Sequence, residues 1–298
     1  MTRDLPPLLC IGSVLWDVIG RSPQPMHQGA DVPGRITRLP GGVAMNIAMT
    51  LSRFGLTPTL LTAIGRDAEG DELIAACAAL GMVTEHIYRA EGLPTDRYMA
   101  VEGANGLIAA IADAQSLETA GARILEPVTQ GPLGCAATPF TGTVALDGNL
   151  TEALLEEIAQ SPAFAAADLR VAPASPGKAL RLRPFLDHGC ATLYVNLEEA
   201  GLLCHTAFDD AETAAQAMRA RGVNRVLVTD GPRAASEAGA EGVRSLVPPA
   251  VQAARVTGAG DTFMAAHIAA EAAGRTGAEA FARAVEAAAR YVSGELPQ

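Results

Sequence analysis

Five short runs, Leu8–Ile11, Thr59–Ile64, Thr143–Asp147, Thr192–Asn196 and Arg225–Thr229, are largely apolar and lack a strict polar–apolar alternation. A strand with one wet face alternates. A strand buried on both faces does not, and sheets covered on both faces are mostly parallel. Helical patterns lie between these runs. Val43, Ile47, Leu51 and Phe54 recur at helical spacing ahead of Gly55, and Asp71–Leu80 continues helically up to Gly81. Thr151–Ala159 ends before Pro162, and Phe281, Val285, Ala288 and Val292 share one face of a last helix. Strand–helix alternation of this extent predicts a doubly wound α/β fold, a central and mostly parallel sheet flanked by helices. No linker, repeat or low-complexity tract interrupts it, so one domain over residues 1–298 is expected.

Two stretches depart from the pattern. Gly20–Leu39 is rich in Gly and Pro, with a short alternating piece at Arg35–Leu39. Asp96–Asp113 carries Arg97–Val101 and Leu107–Ile111 around a Gly103-Ala104-Asn105-Gly106 turn, which reads as a β-hairpin. Four short strands from about 18–40 and 94–113 are expected to form a small antiparallel sheet placed as a lid over the site.

Composition excludes several classes. At 49% hydrophobic and 18% charged residues, the chain buries enough surface to offset its ordering entropy and is not disordered. With 22 Lys+Arg against 33 Asp+Glu, the net charge of −11 argues against a nucleic-acid partner. No run of about 18 apolar residues suits a membrane span. Met1–Pro7, with Arg3 and Asp4, does not read as a secretory signal. Five cysteines (Cys10, Cys77, Cys135, Cys190 and Cys204) are odd in number and form no Cys-x-x-Cys pair. They are expected as free thiols in a reducing cytoplasm.

The chemistry concentrates in a few segments. In Val256-Thr257-Gly258-Ala259-Gly260-Asp261-Thr262-Phe263, glycines precede a helix pattern. The N–H groups of a helix N-terminus lack partners and favour anions, so this turn suits a developing phosphate charge. Asp261 in the first turn is placed to take a proton from a substrate hydroxyl. The same octet also fits a plain turn with Asp261 as a capping residue. Pro40-Gly41-Gly42-Val43-Ala44-Met45-Asn46 feeds another helix, and Asn46 offers both a donor and an acceptor to a sugar hydroxyl. Asp17 lies beyond the first strand, at the sheet end where open α/β folds bind ligands, although turn aspartates are common. Asn196 and Glu199, at the end of a strand, share a helical face and suit Mg²⁺ or a solvated helix start equally. Thr229-Asp230-Gly231 forms a turn able to hold nucleotide phosphates.

In order and together, Gly41-Gly42-x-x-x-Asn46-x-Ala48, Asn196-x-x-Glu199, Thr229-x-Gly231 and Thr257-Gly258-Ala259-Gly260-Asp261 resemble the signatures of the ribokinase, or PfkB, family of sugar and nucleoside kinases. The likeness runs from about Leu8 to Ser293. Val32–Val43, Asp147-Gly148-Asn149-Leu150 and Ile111-Ala112-Asp113 are similar to the pseudouridine-kinase branch of that family. The resemblance implies a ribokinase-like fold with a β lid, and ATP-dependent phosphorylation of the 5′-hydroxyl of pseudouridine. It implies that Asp261 is the base and that Gly258, Ala259 and Gly260 form the anion hole. Asp17, Gly41, Gly42, Asn46 and Asp113 would surround the substrate. Asn196, Thr229, Gly231, Thr257, Gly258 and Gly260 would surround ATP, and Asn196 with Glu199 would organise Mg²⁺. A homodimer through the lid is also implied.

Two departures stand out. Arg255 and Val256 replace an Asp-Thr pair whose Asp helps related enzymes hold an activating monovalent cation. A fixed guanidinium cannot ligate one, so no such cation is expected. Ala172 stands where relatives often carry Asp. The alternatives are another sugar or nucleoside kinase of the family (4% aromatics weighs against purine stacking) and a non-catalytic nucleoside-binding regulator. A dinucleotide oxidoreductase is excluded, since no Gly-x-Gly-x-x-Gly follows the first strand.

Overall fold

The computed structural model describes residues 7–189, 191–275 and 277–295; Cys190 lies outside them. Its centre is an eight-stranded sheet. The strand order is Gly242–Leu246, Ala235–Gly239, Arg225–Thr229, Ala191–Asn196, Asp168–Ala172, Thr143–Asp147, Leu8–Ile11 and Thr59–Leu61. The last six are parallel to one another. The hairpin Ala235–Leu246 adds an antiparallel edge.

The missing alternation in the strands has a direct cause, since both faces are covered. Leu9, Ile11, Val144, Leu146, Leu193 and Val195 pack into one hydrophobic cluster. Leu8, Cys10, Ala145 and Tyr194, from the same strands, pack into another. Helices Glu152–Gln160 and Ala211–Ala220 supply the first cluster with Leu154, Leu155, Ile158 and Met218. Helices Val43–Arg53, Ala259–Ala272 and Gly277–Val292 supply the second with Met45, Ile47, Leu51, Phe263, Met264 and Phe281.

The run expected as one strand over Thr59–Ile64 is split. Thr59–Leu61 joins the large sheet, while Ala63–Gly65 pairs with Tyr88–Ala90. The helix expected from Asp71 starts earlier, at Ala68, because the Asp67 side chain accepts from Gly70 N at 2.7 Å and caps it.

The departing stretches form a separate four-stranded sheet in the order Arg35–Gly41, Leu15–Arg21, Arg97–Gly103 and Gly106–Asp113. It is not wholly antiparallel. Its central pair, Leu15–Arg21 and Arg97–Gly103, is parallel, because the chain passes through strands and helices of the main body between them. The register aligns Asp17 with Leu39 and Tyr98, and Tyr98 with Ala112. Among the described residues no helix is long and apolar enough to cross a membrane. Cys10, Cys77, Cys135 and Cys204 are free thiols.

Candidate active site

The site begins where two neighbouring parallel strands end. Asp147 closes Thr143–Asp147 and is fully buried. It accepts from Ser13 N at 2.8 Å, Ser13 Oγ at 2.5 Å, Asn149 N at 2.7 Å and Ala44 N at 3.3 Å. Ser13 completes the joint. Its Oγ accepts from Val43 N at 3.0 Å, and its carbonyl accepts from Met45 N at 3.3 Å. Gly42 caps this helix with a φ of +96°, and a side chain there would run into Ser13 O. With Asn46 N bonded to Gly42 O, the free N–H groups of this N-terminus are consumed by protein. The Gly-Gly helix start therefore anchors, and the Val43–Asn46 N–H groups are not free for a ligand.

One turn further on, Asn46 Nδ2 donates to Asp261 Oδ2 at 2.9 Å. Asp261 sits in the first turn of Ala259–Ala272, which is capped by Gly258 in the left-handed region at φ +89°. A Cβ on Gly258 would lie 2.6 Å from Tyr291 Oη, the hydroxyl that donates to Thr257 O at 2.9 Å. Ala259 N bonds Val256 O, whereas helix geometry leaves the Gly260 and Asp261 N–H groups without intrahelical acceptors. A Cβ on Gly260 would meet nothing within 4 Å. This second N-terminus is thus open where the first is closed, and open N–H groups are what an anion needs.

Carboxylates crowd the site. Burial pushes the Asp261 pKa up to about 7, and the Asp147, Glu199 and Asp17 carboxylates push the same way against the Asn46 hydrogen bond. Asp17, half-buried on strand Leu15–Arg21, is pushed up by burial to about 6. Gly41 lies behind it, and a side chain there would collide with the Asp17 carboxylate.

Asn196 and Glu199 form a reciprocal capping box on helix Leu197–Cys204. Glu199 N donates to Asn196 Oδ1 at 2.9 Å, and Asn196 N donates to Glu199 Oε2 at 2.8 Å. Glu199 is buried, which pushes its pKa up to about 7. Among the described residues no Lys or Arg pairs with it, and no group of three His, Cys, Asp or Glu residues forms a complete metal cage. One carboxylate plus oxygens from a substrate phosphate and water is the donor set that suits Mg²⁺. Thr229 is the register partner of Asn196 on the adjacent strand, and Gly231 follows at φ +55°.

These groups line one cleft of about 1910 Å³, shared by Asp17, Gly42, Asn46, Asn196, Glu199, Thr229, Gly231 and the Thr257–Asp261 turn. Two expected site residues are not on its wall. Gly41 supports Asp17 from behind. Asp113 is exposed and paired with Arg97, one strand position out of step with Ala112, Tyr98 and Asp17, so alternation turns it to the opposite face.

Residues 6–298 match the profile described as pfkB family carbohydrate kinase. The chain belongs to the pfkB family of carbohydrate kinases. The match covers all of the residues that line the cleft, so this family member is a phosphotransferase acting on a sugar or nucleoside hydroxyl, with ATP as the donor that the family implies. The chain is 28% identical to the pseudouridine kinase of Escherichia coli K12 over 270 residues, 88% of this chain and 83% of that one. It is 29% identical to the bifunctional protein HldE of Hyphomonas neptunium over 303 residues, 94% of this chain but 58% of that longer protein. In fold it is similar to the ribokinase of Thermotoga maritima (TM-score 0.79, 21% identity, 97% of this chain and 93% of that one). It is likewise similar to a phosphofructokinase-2 variant of Escherichia coli (TM-score 0.79, 19% identity, 98% and 95%). The pfkB assignment agrees with the family resemblance of the motifs, and the central, mostly parallel sheet agrees with the doubly wound α/β fold expected from strand and helix periodicity.

Ser13, Tyr98 and Lys178, which also line the cleft, were not singled out from sequence. Ser13 lies two residues past the end of the first strand, and that position is its one local signal.

Proposed function

We infer that this kinase transfers the γ-phosphoryl group of ATP to the 5′-hydroxyl of pseudouridine. The observation that carries the transfer is the Asn46–Asp261 contact at the foot of an open helix N-terminus. The pseudouridine kinase likeness over 88% of the chain supports the acceptor. Asp261 accepts the hydroxyl proton, and its pKa near 7 suits that task at neutral pH. The Gly260 and Asp261 N–H groups face the charge that develops on the phosphoryl oxygens. Asn46, Gly42 and Asp17 hold the ribose hydroxyls, while Thr229, Gly231 and Thr257 line the nucleotide. Asn196 and Glu199 would hold Mg²⁺, which when bound neutralises charge in a cleft walled by carboxylates. The four-stranded sheet serves as the lid, and its exposed Ile36, Met99 and Ile111 form the face for a homodimer.

Arg255 supports cation independence. Its guanidinium donates to Tyr291 O at 2.9 Å and Glu295 O at 3.0 Å and lies 3.8 Å over the Tyr291 ring. Two carbonyl oxygens beside the anion turn are thereby committed to a fixed cation. Nothing in the structure explains the Ala172 departure.

A panel of pseudouridine, uridine, adenosine, ribose and fructose with Mg-ATP, read by ADP release, tests the acceptor. Pseudouridine should give the highest kcat/KM. A tenfold preference for another member would replace pseudouridine, and no ADP from any would favour a binding protein.

A further inference from the structure

Lys178 is the single lysine of the chain; the other 21 of its 22 Lys+Arg residues are arginine. It lies on the short helical segment Pro176–Leu182 that follows strand Asp168–Ala172. That strand stands between Thr143–Asp147 and Ala191–Asn196. Lys178 is therefore carried between the Asp147 joint and the Asn196–Glu199 cap. Among the described residues it is the one Lys or Arg on the wall of the cleft, facing Asp17, Glu199, Asp230 and Asp261.

Its bonding is unusual for a half-buried cation. Nζ donates to Asn149 Oδ1 at 2.6 Å, and no carboxylate lies within ion-pair distance of it among the described residues. Asn149 is held rigidly, because its Nδ2 donates to Ser13 Oγ at 2.9 Å and to Asp147 Oδ1 at 2.9 Å. Neighbouring Arg181 is fully occupied, donating to Asn149 O at 2.8 Å and pairing with Glu118 at 2.9 Å. Lys178 has no ion-pair partner at contact distance, and Asp147 and Glu118 act on it only from farther away. Burial and Arg181 both hold its pKa below the ordinary lysine value. An arriving anion opposes both effects, since it supplies a counter-charge at contact distance.

We propose that Lys178 binds the phosphoryl group in transit, its ammonium meeting an oxygen of the donor's terminal phosphate on the side opposite the Gly260–Asp261 N–H groups. Asn149 parks the ammonium while the cleft is empty and aims it when the phosphate arrives. A lysine suits this role better than an arginine, because a compact ammonium on a flexible stem follows a group that moves from donor to acceptor. The inference rests on phosphoryl transfer in this cleft and not on which nucleoside accepts it.

The single lysine makes the test direct. Lys178 and the α-amino group are the only amines available to an amine-acylating reagent, and peptide mass spectrometry reads the acylation of Lys178 by itself. The rate is measured in wild-type protein with Mg²⁺ and no ligand, with ADP, with the non-hydrolysable β,γ-imido analogue of ATP, and with pseudouridine. The expected result is at least tenfold protection by the ATP analogue and less than twofold by ADP or pseudouridine. Equal protection by ADP and the analogue, protection by pseudouridine alone, or no protection at all would each overturn the proposal. Lys178→Met should weaken the analogue at least tenfold and leave ADP within twofold, with Lys178→Arg recovering part of the loss. If Lys178→Met fails to fold, the wild-type labelling decides alone. Protection that persists while pseudouridine gives no ADP would separate this inference from the choice of acceptor.

Discussion

Asn46 Nδ2 lies 2.9 Å from Asp261 Oδ2, although 215 residues separate them in the chain. The bond joins the first turns of two glycine-led helices, one closed by Ser13 and Asp147 and the other open. It lowers a pKa that burial and three carboxylates raise, and so leaves Asp261 near 7 rather than higher. A neutral partner achieves this without the ion pair that would hold the carboxylate permanently ionised.

Asp261→Asn should reduce kcat by about 10²–10⁴, the range that a positioned base contributes. The Kd for ATP should remain within threefold of wild type. Steady-state kinetics with calorimetry of ATP binding checks both, and near-normal turnover would remove Asp261 from the role of base.

The pH profile follows in sign. A base at Asp261 would work deprotonated, so kcat/KM should rise with pH through about 7 and level off above it. Asn46→Ala deletes a hydrogen bond to the charged form and should shift that limb upward. A limb that stays in place would mean another group titrates.

Stability carries the opposite sign. Folded Asp261 holds its proton up to about 7 while the unfolded group releases it near 3.8, so its contribution is present at low pH and lost as pH rises between those values. The Asp261→Asn protein should therefore melt higher than wild type at pH 8, with the difference shrinking toward pH 4. An equal or lower Tm at pH 8 would contradict the half-buried, charge-crowded carboxylate.

Gly258→Ala places a methyl group in the left-handed region and against Tyr291 Oη. It should cost about 1–3 kcal/mol and at least tenfold in kcat, since the turn holding the open N–H groups must move. Gly260→Ala meets no atom within 4 Å and should fold normally while hindering the phosphoryl group. Comparing the two melting temperatures with the two kcat values separates strain from obstruction.

Exchanging Na⁺ for K⁺ at constant ionic strength should leave turnover within twofold, because Arg255 occupies the Tyr291 and Glu295 carbonyls. Arg255→Ala should slow the enzyme and introduce a K⁺ response if those carbonyls become free to ligate. A strong K⁺ activation of the wild type would refute the substitution of one cation for the other.

The sequence by itself determined what a few neighbouring residues decide. Uninterrupted apolar runs foretold strands buried on both faces, and Leu8–Ile11, Thr143–Asp147 and Arg225–Thr229 are strands over those residues. Glycines before helical periodicity foretold both helix starts, and the i, i+3 spacing of Asn196 and Glu199 foretold a shared first turn. Steric preferences and backbone hydrogen bonds of this kind act within one or two turns, so they are written locally. Strand order is not. Only the tertiary structure brought Ser13, Asp147, Asn149 and Lys178 into one network, paired Leu15–Arg21 in parallel with Arg97–Gly103, and turned Asp113 away from Asp17. It also decided which glycine-led helix remained open to an anion. The Val43–Arg53 N-terminus is filled by a serine from the loop after the first strand and a carboxylate from the end of another strand, and nothing in its own sequence records that they arrive.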